Sequence, residues 1–357
     1  MTTPRRDFLK TAGLIGAGSL LTPEPATAIN RARKPIDEYD PRNVKLARRV
    51  NGSLSDDDMM FLQQLGLRSV RVDLTRQQAN LGFLRDLQKR FAKHNIQIYS
   101  AVHPVQGSVN IGLGRPERDA EIREYQDFLK ALGRLKIPVA GYAFHPGNTY
   151  STGRVINRGY SVRVFDLEVF RETIEKQRFG RVYNAEEMWS NYEYFIKRVL
   201  PVAEDSDVRM ALHPDDPPVD AALGRVPRLF HGFDCYRKAL ETFDSPMHGL
   251  NFCHGCWSEM KAGEGVLDAI RHFGSRDRIF YVHFRDVQGG IEDFTECFLG
   301  DGNCDPVETI RTLKDVGFRG FLIPDHVPQM EGDAGWNHRG RAWTVGYIRG
   351  LLDAVSG

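Results

Sequence analysis

The sequence predicts an α/β fold, a single (β/α)8 barrel, on three observations. Short apolar runs of strand length alternate with helix-period segments about eight times between residues 44 and 354. Repetition of strand and helix in one direction implies parallel strands joined by helical crossovers. The alternation occupies most of the 357 residues, the length one such barrel needs. An open doubly wound sheet is the weaker alternative, because no Gly-rich phosphate loop follows the first strand.

In chain order, residues 44–50 read as the first strand and 56–65 as a helix capped by Ser55 or Asp56. Residues 69–74 are strand-like, 77–94 helical, 96–103 a strand, 118–135 a helix and 139–145 a strand. A stretch rich in Gly, Asn and Arg, residues 146–166, reads as irregular, and a helix is expected at 185–203. Strands at 208–213, 249–253, 279–284 and 320–324 then alternate with helices at 233–243, 263–273, 306–315 and 340–354.

The last four strands share an ending. Met210-Ala211-Leu212 stops at His213-Pro214-Asp215-Asp216-Pro217-Pro218, where proline ends any central strand. Leu250-Asn251-Phe252 reaches Cys253, Phe280-Tyr281-Val282 reaches His283, and Phe321-Leu322-Ile323 reaches Pro324-Asp325-His326. Barrel active sites lie at the C-terminal strand ends, and neighbouring strands are about 4.8 Å apart. His213, Cys253, His283 and Asp325 can therefore converge, and two imidazoles, a thiolate and a carboxylate suit Mn²⁺, Fe²⁺ or Zn²⁺. A lone histidine at a strand end is more often structural; four such residues at successive ends outweigh that alternative.

Bulk properties bound the rest. Hydrophobic content of 41% and charge of 27% are those of an ordinary globular enzyme, and a net charge of +1 argues against a nucleic-acid partner. Arg5-Arg6-Asp7-Phe8-Leu9-Lys10, a short apolar segment to Leu21 and the triplet Ala26-Thr27-Ala28 have the order of a twin-arginine export signal. The expectation is a signal over 1–28, a linker over 29–42 and one catalytic domain over 43–357. The apolar segment is too short and Gly-rich for a membrane span. The implied partners are the twin-arginine export machinery and a small molecule, with no membrane after cleavage and a periplasmic or exported location. The insertion at 146–181 is a candidate pocket cover or homo-oligomer interface.

His213-Pro214-Asp215-Asp216-Pro217-Pro218, Phe252-Cys253 with Gly255, Val282-His283-Phe284-Arg285 and Pro324-Asp325-His326 together resemble the signature segments of the mannonate dehydratase family. Similarity is weaker through Tyr142-Ala143-Phe144-His145-Pro146 and Gly340-Arg341. The resemblance implies a xylose isomerase-like barrel that removes water from D-mannonate to give 2-keto-3-deoxy-D-gluconate with Mn²⁺ or Fe²⁺. It implies that His213, Cys253, His283 and Asp325 bind the metal, and that Arg285 lies in the substrate pocket. Asp325 and His326 are the nearest candidates for acid–base work, with His145 and Tyr150 further ones. Trp336 stands where the family has a tyrosine, and an indole cannot donate a proton to a leaving hydroxyl. His338 is then a candidate replacement, and Trp336 and His338 are expected at the substrate. The rival readings are a sugar or sugar-acid isomerase or epimerase on the same metal site, and a non-catalytic periplasmic sugar-acid binder.

Cys253-His254-Gly255-Cys256 is also a C-x-x-C, but it closes a strand where redox motifs open a helix, so thiol exchange is the weaker reading. Asp215 and Asp216 are read as loop-turning residues, and Asp305, after Asp301-Gly302-Asn303-Cys304, as a helix cap.

Overall fold

A computed structural model describes residues 36–146, 149–173, 178–333 and 335–355. The expected export signal lies outside the described residues. From Pro35 onward the chain forms one compact unit. Residues 36–42, placed in the linker by sequence, are tied to the last helix: Ile36 N–H donates to Asp353 at 2.8 Å, and Arg349 pairs with buried Glu38.

The first strand is two short segments, β1 (Lys45–Leu46) and β2 (Arg48–Asn51). Then follow α1 (Asp56–Gln64), β3 (Ser69–Asp73), α2 (Leu81–Ala92), β4 (Gln97–Val102), α3 (Val109–Gly112), α4 (Arg118–Arg134) and β5 (Val139–Tyr142). A hairpin of β6 (Gly153–Asn157) and β7 (Tyr160–Asp166) leads to α5 (Leu167–Thr173) and α6 (Ala185–Asp205). The second half runs β8 (Arg209–Leu212), α7 (Phe233–Thr242), β9 (His248–Cys253), α8 (His254–Met260), α9 (Val266–Gly274) and β10 (Ile279–Phe284). It ends with β11 (Asp286–Gly290), β12 (Asp293–Cys297), α10 (Pro306–Asp315), β13 (Phe321–Pro324), β14 (Gln329–Met330) and α11 (His338–Val355).

The parallel sheet has the order β1-β13-β10-β9-β8-β5-β4-β3-β2. β1 pairs with the last barrel strand and β2 with the second, so the two halves of one bent strand close an eight-membered ring. The strands are buried almost throughout, as expected where helices cover a parallel sheet. Predicted and observed ring elements agree closely, with shifts at helix starts that have local causes. Asn80 accepts from Phe83 N–H and starts α2 at 81, later than the expected 77. Left-handed Gly263 and Gly265 hold α9 back to 266. Asp305 does cap α10, accepting from Val307 N–H at 2.8 Å.

Two insertions depart from expectation. Residues 146–166, expected to be irregular, contain the β6–β7 hairpin, whose turn places Arg158 and Gly159 at positive φ. The chain after β10 makes a second hairpin, β11–β12. These strands and β14 join in a separate antiparallel sheet of order β11-β12-β7-β14. Both hairpins spring from C-terminal strand ends, so the second sheet leans over the site. Its Phe165 and Phe294, with Phe170 of α5, pack against Val219 and Leu223. The C-x-x-C also differs from expectation: Cys253 closes β9 and is the N-cap of α8, with no loop between.

Candidate metal centre and active site

Four strand ends deliver four donors. In register, His283 of β10 is opposite Cys253 of β9 and Ile323 of β13. His213 directly follows β8 and Asp325 directly follows β13. One donor atom from each of His213, Cys253, His283 and Asp325 lies within 4.8 Å of the others. The last three are buried and His213 is half-buried.

The chemistry of this set fits a divalent ion. His213 Nδ1–H donates to the Pro214 carbonyl at 2.7 Å, so Nε2 keeps its lone pair for a ligand. His283 Nδ1 has no hydrogen-bond partner and lies 3.3 Å from Asp325 Oδ2. Burial opposes ionisation of Cys253, yet the Cys256 thiol, Arg285 and His213 hold it well below the usual thiol range. Asp325 is likewise held well below the carboxylate range, against burial, by His283, His326 and Arg49. An ionised thiol and carboxylate beside two imidazoles are what a cation needs in place of water.

A cavity of about 310 Å³ is lined by His213, His283 and Asp325, with Cys253 buried behind them. Its walls include His145, Asp216 and His326, together with Arg49 and Arg71, which the sequence reading had not singled out. Two histidines face it with opposite tendencies. His326 donates through Nδ1 to Glu296 at 2.6 Å and lies 3.6 Å from Asp325. Burial lowers its pKa, but Asp325 and Glu296 outweigh this and raise it above the ordinary value. His145 has Nδ1 3.2 Å from Asp215, and burial lowers its pKa. Relative to an ordinary imidazole, these environments favour the protonated form at His326 and the neutral form at His145.

Other sequence-predicted residues fall elsewhere. Arg285 does not line the cavity. It is 3% exposed and sits behind the donors, 2.6 Å from Glu259 and 3.2 Å from Asp216. Arg285 lies just past the end of β10, in the one-residue link to β11, and its guanidinium turns into a packed layer of acids. Trp336 and His338 are also not among the lining residues. Both pack against Phe61 of α1, and His338 lies 3.2 Å from Asp58, because α11 starts at His338 and docks its first turn on α1. Tyr150 packs on Phe170 under the second sheet. Asp215 holds loop backbone, accepting from Phe230 N–H at 2.7 Å, and pairs with Arg228. Asp216 does more than turn the loop: it lines the cavity and joins Arg163 and Arg285, at 3.1 and 3.2 Å.

Glu296 was invisible to motif reasoning because it lies mid-strand in an unrecognised hairpin. The alternation Asp293-Phe294-Thr295-Glu296 was its only signal. A second group, His254, Asp286 and Cys304, is also close enough to hold an ion. Both Asp286 oxygens already accept backbone N–H groups, from Val287 and Cys304, and both His254 nitrogens have partners. It reads as a structural network.

Comparison with known proteins gives one consistent result. The family model of D-mannonate dehydratase (UxuA) matches residues 159–357, more than half of the chain. Mannonate dehydratase 2 of Halalkalibacterium halodurans is 28% identical over 298 residues, covering 74% of this chain and 86% of that protein. Mannonate dehydratase of Streptococcus suis is 28% identical over 302 residues, 75% of this chain and 81% of the relative. The crystal structure of mannonate dehydratase from Streptococcus suis serotype 2 superposes with a TM-score of 0.77 at 25% identity, over 88% of this chain and 93% of the other. D-psicose 3-epimerase from Clostridium cellulolyticum, at 15% identity and a TM-score of 0.55 over 88% of this chain and 98% of the other, shares the fold alone.

Proposed function

The chain belongs to the D-mannonate dehydratase family, and on that premise we propose that it is a metal-dependent hydro-lyase of a sugar acid. D-mannonate is the first substrate to try. Convergence of His213, Cys253, His283 and Asp325, three of which line one cavity, carries this reading. Those residues would hold the ion; the donor set suits Mn²⁺, Fe²⁺ or Zn²⁺, and the family resemblance favours Mn²⁺ or Fe²⁺. A divalent ion at this position supplies electrophilic stabilisation of charge that builds on an acid carboxylate.

Dehydration needs a base for the proton α to the carboxylate and an acid for the departing β-hydroxyl. His145, kept neutral by burial, suits the base. His326, whose protonated form Asp325 and Glu296 favour, suits the acid. Pairs of groups pushed apart in pKa are how one site runs both proton transfers. Asp325 is engaged by His283 and Arg49, and its part is to hold the ion and the His326 charge. Arg285 acts from behind, fixing Asp216 and Glu259 and sustaining the Cys253 thiolate.

Export through the twin-arginine route, with cleavage after Ala28, is proposed on the sequence of residues 1–28. Cell fractionation with and without Arg5→Lys and Arg6→Lys tests it. Activity is tested with protein lacking residues 1–28, loaded anaerobically with Mn²⁺ or Fe²⁺ and given a panel of hexonates. The expected result is 2-keto-3-deoxy acid formation abolished by EDTA and by Cys253→Ser. Stoichiometric metal with no product from any hexonate would overturn the lyase reading in favour of an isomerase or a binding protein.

A further inference from the structure

The layer of the barrel beneath the four donors is polar where barrel interiors are ordinarily filled by aliphatic side chains. Tyr281 and Asn251 are register partners, one pleat below the register partners His283 and Cys253. Arg71 reaches the same level from β3. All three line the cavity, and they are 0%, 2% and 4% exposed respectively. Each carries a buried polar atom with no hydrogen-bond partner: Tyr281 Oη, Asn251 Oδ1 and Arg71 Nε. Such atoms are rare, because each forfeits about 1–3 kcal/mol of solvation. Three of them on one cavity wall point to a ligand that satisfies them.

Other atoms of these side chains have partners, and the three unpartnered ones define what the wall offers. Arg71 has Nη1 2.9 Å from His283 Nε2 and Nη2 in an ion pair 2.9 Å from Asp73, while its Nε–H has no partner. Asn251 Nδ2 lies 3.3 Å from His283 Nε2, leaving Oδ1 as an acceptor. Tyr281 Oη is buried without a partner and carries a hydroxyl proton to donate. Gly141 on β5 makes room for that hydroxyl, since a Cβ there would stand 2.4 Å from Tyr281 Oη. The wall is also the basic one: Arg49 and Arg71 are the only Lys or Arg side chains lining the cavity among the described residues, and they share Asp73.

We propose that Arg71, Asn251 and Tyr281 form the subsite for an α-hydroxy carboxylate, the acid end of the substrate. Arg71 Nε–H and Tyr281 Oη–H donate to the carboxylate, and Asn251 Oδ1 accepts from the neighbouring hydroxyl. The assignment deepens the sugar-acid reading and rests on it for the identity of the full substrate. The subsite makes Arg71 and Tyr281 specificity-determining: they select an acid over the corresponding neutral polyol.

Calorimetric titration of the metal-loaded protein with glycolate, and with ethylene glycol as its neutral counterpart, tests the subsite without turnover. Wild type binds glycolate and not ethylene glycol. Tyr281→Phe, which keeps the ring and the packing, and Arg71→Lys each weaken glycolate binding by roughly tenfold to hundredfold. Metal stoichiometry stays at the wild-type value in Tyr281→Phe. With hexonates, the same variants raise KM more than they lower kcat. Glycolate binding that is absent in wild type, matched by ethylene glycol, or unchanged in both variants overturns the subsite, even if hexonates are dehydrated. Loss of glycolate binding in both variants upholds it, even if no hexonate is turned over and the lyase reading falls.

Discussion

Glu296 Oε1 lies 2.6 Å from His326 Nδ1, and this contact joins the second sheet to the active-site face of the barrel. The carboxylate fixes the ring so that its other nitrogen serves the cavity, and it stabilises the imidazolium. Replacing Glu296 with Gln keeps a hydrogen-bond acceptor and removes the charge. The expected outcome is a fall in kcat of roughly tenfold to hundredfold, with a much smaller change in KM. Steady-state kinetics on the metal-loaded variant decide it; an unchanged kcat removes His326 from proton transfer.

Gly255 makes the close approach of Arg285 feasible. A Cβ at this position would meet Arg285 Nη1 at 2.4 Å and its Cγ at 2.6 Å. The guanidinium is held by Glu259 and Asp216 and cannot swing aside freely. Gly255→Ala is therefore expected to destabilise the fold by about 1–3 kcal/mol and to lower metal occupancy through Cys253. Urea unfolding and metal analysis measure both; a variant as stable and as metal-rich as wild type contradicts the packing argument.

His248 gives the fold an acid sensitivity from a position that does not itself line the cavity. It is fully buried at the start of β9, accepts from Tyr142 Oη at 2.9 Å and donates to Phe243 O at 3.0 Å. Burial, aided by Arg278, lowers its pKa to about 4 in spite of the Phe243 contact. The folded-state value is below the unfolded one of about 6.5, so protonation favours unfolding. The stability from this group is complete above about pH 6.5 and is lost as pH falls towards 4, a change of about 3 kcal/mol. Unfolding curves for wild type and His248→Gln at pH 7 and pH 4.5 should converge at the lower pH. A constant difference between them contradicts the assignment.

His338 provides the contrast. Its partner is Asp58 at 3.2 Å, and it stacks on Phe61 rather than facing the cavity. His338→Ala should leave kcat/KM within about twofold and cost less than about 1 kcal/mol of stability, as partly exposed ion pairs do. A loss of turnover by a hundredfold would return His338 to the chemistry.

Much of this molecule is legible in its residue order. The eight-fold alternation is a property of local periodicity, and local periodicity follows from which face each element buries. His213, Cys253, His283 and Asp325 could be found because each ends an apolar run, and the fold places such ends together. Failures occurred where position depended on partners distant in sequence. Glu296 looks like an ordinary strand residue until β12 pairs with β7 and the hairpin folds over the barrel. Arg285, at a strand end beside a ligand, looks like a substrate contact, yet the strand ends at Phe284 and pairing with Glu259 and Asp216 holds the guanidinium behind the donors. Trp336 and His338 were placed by analogy with a loop, and the docking of α11 on α1 decided otherwise.

The sequence by itself determined the barrel, its strand order and the donors that converge at its C-terminal end, because each is set by short-range pattern and by covalent spacing. Only the tertiary structure decided which charged groups face the cavity and which support it from behind, and which histidine is raised or lowered in pKa. Those properties depend on burial and on charges brought within a few ångströms by strands far apart in the chain, as Glu296 is brought to His326.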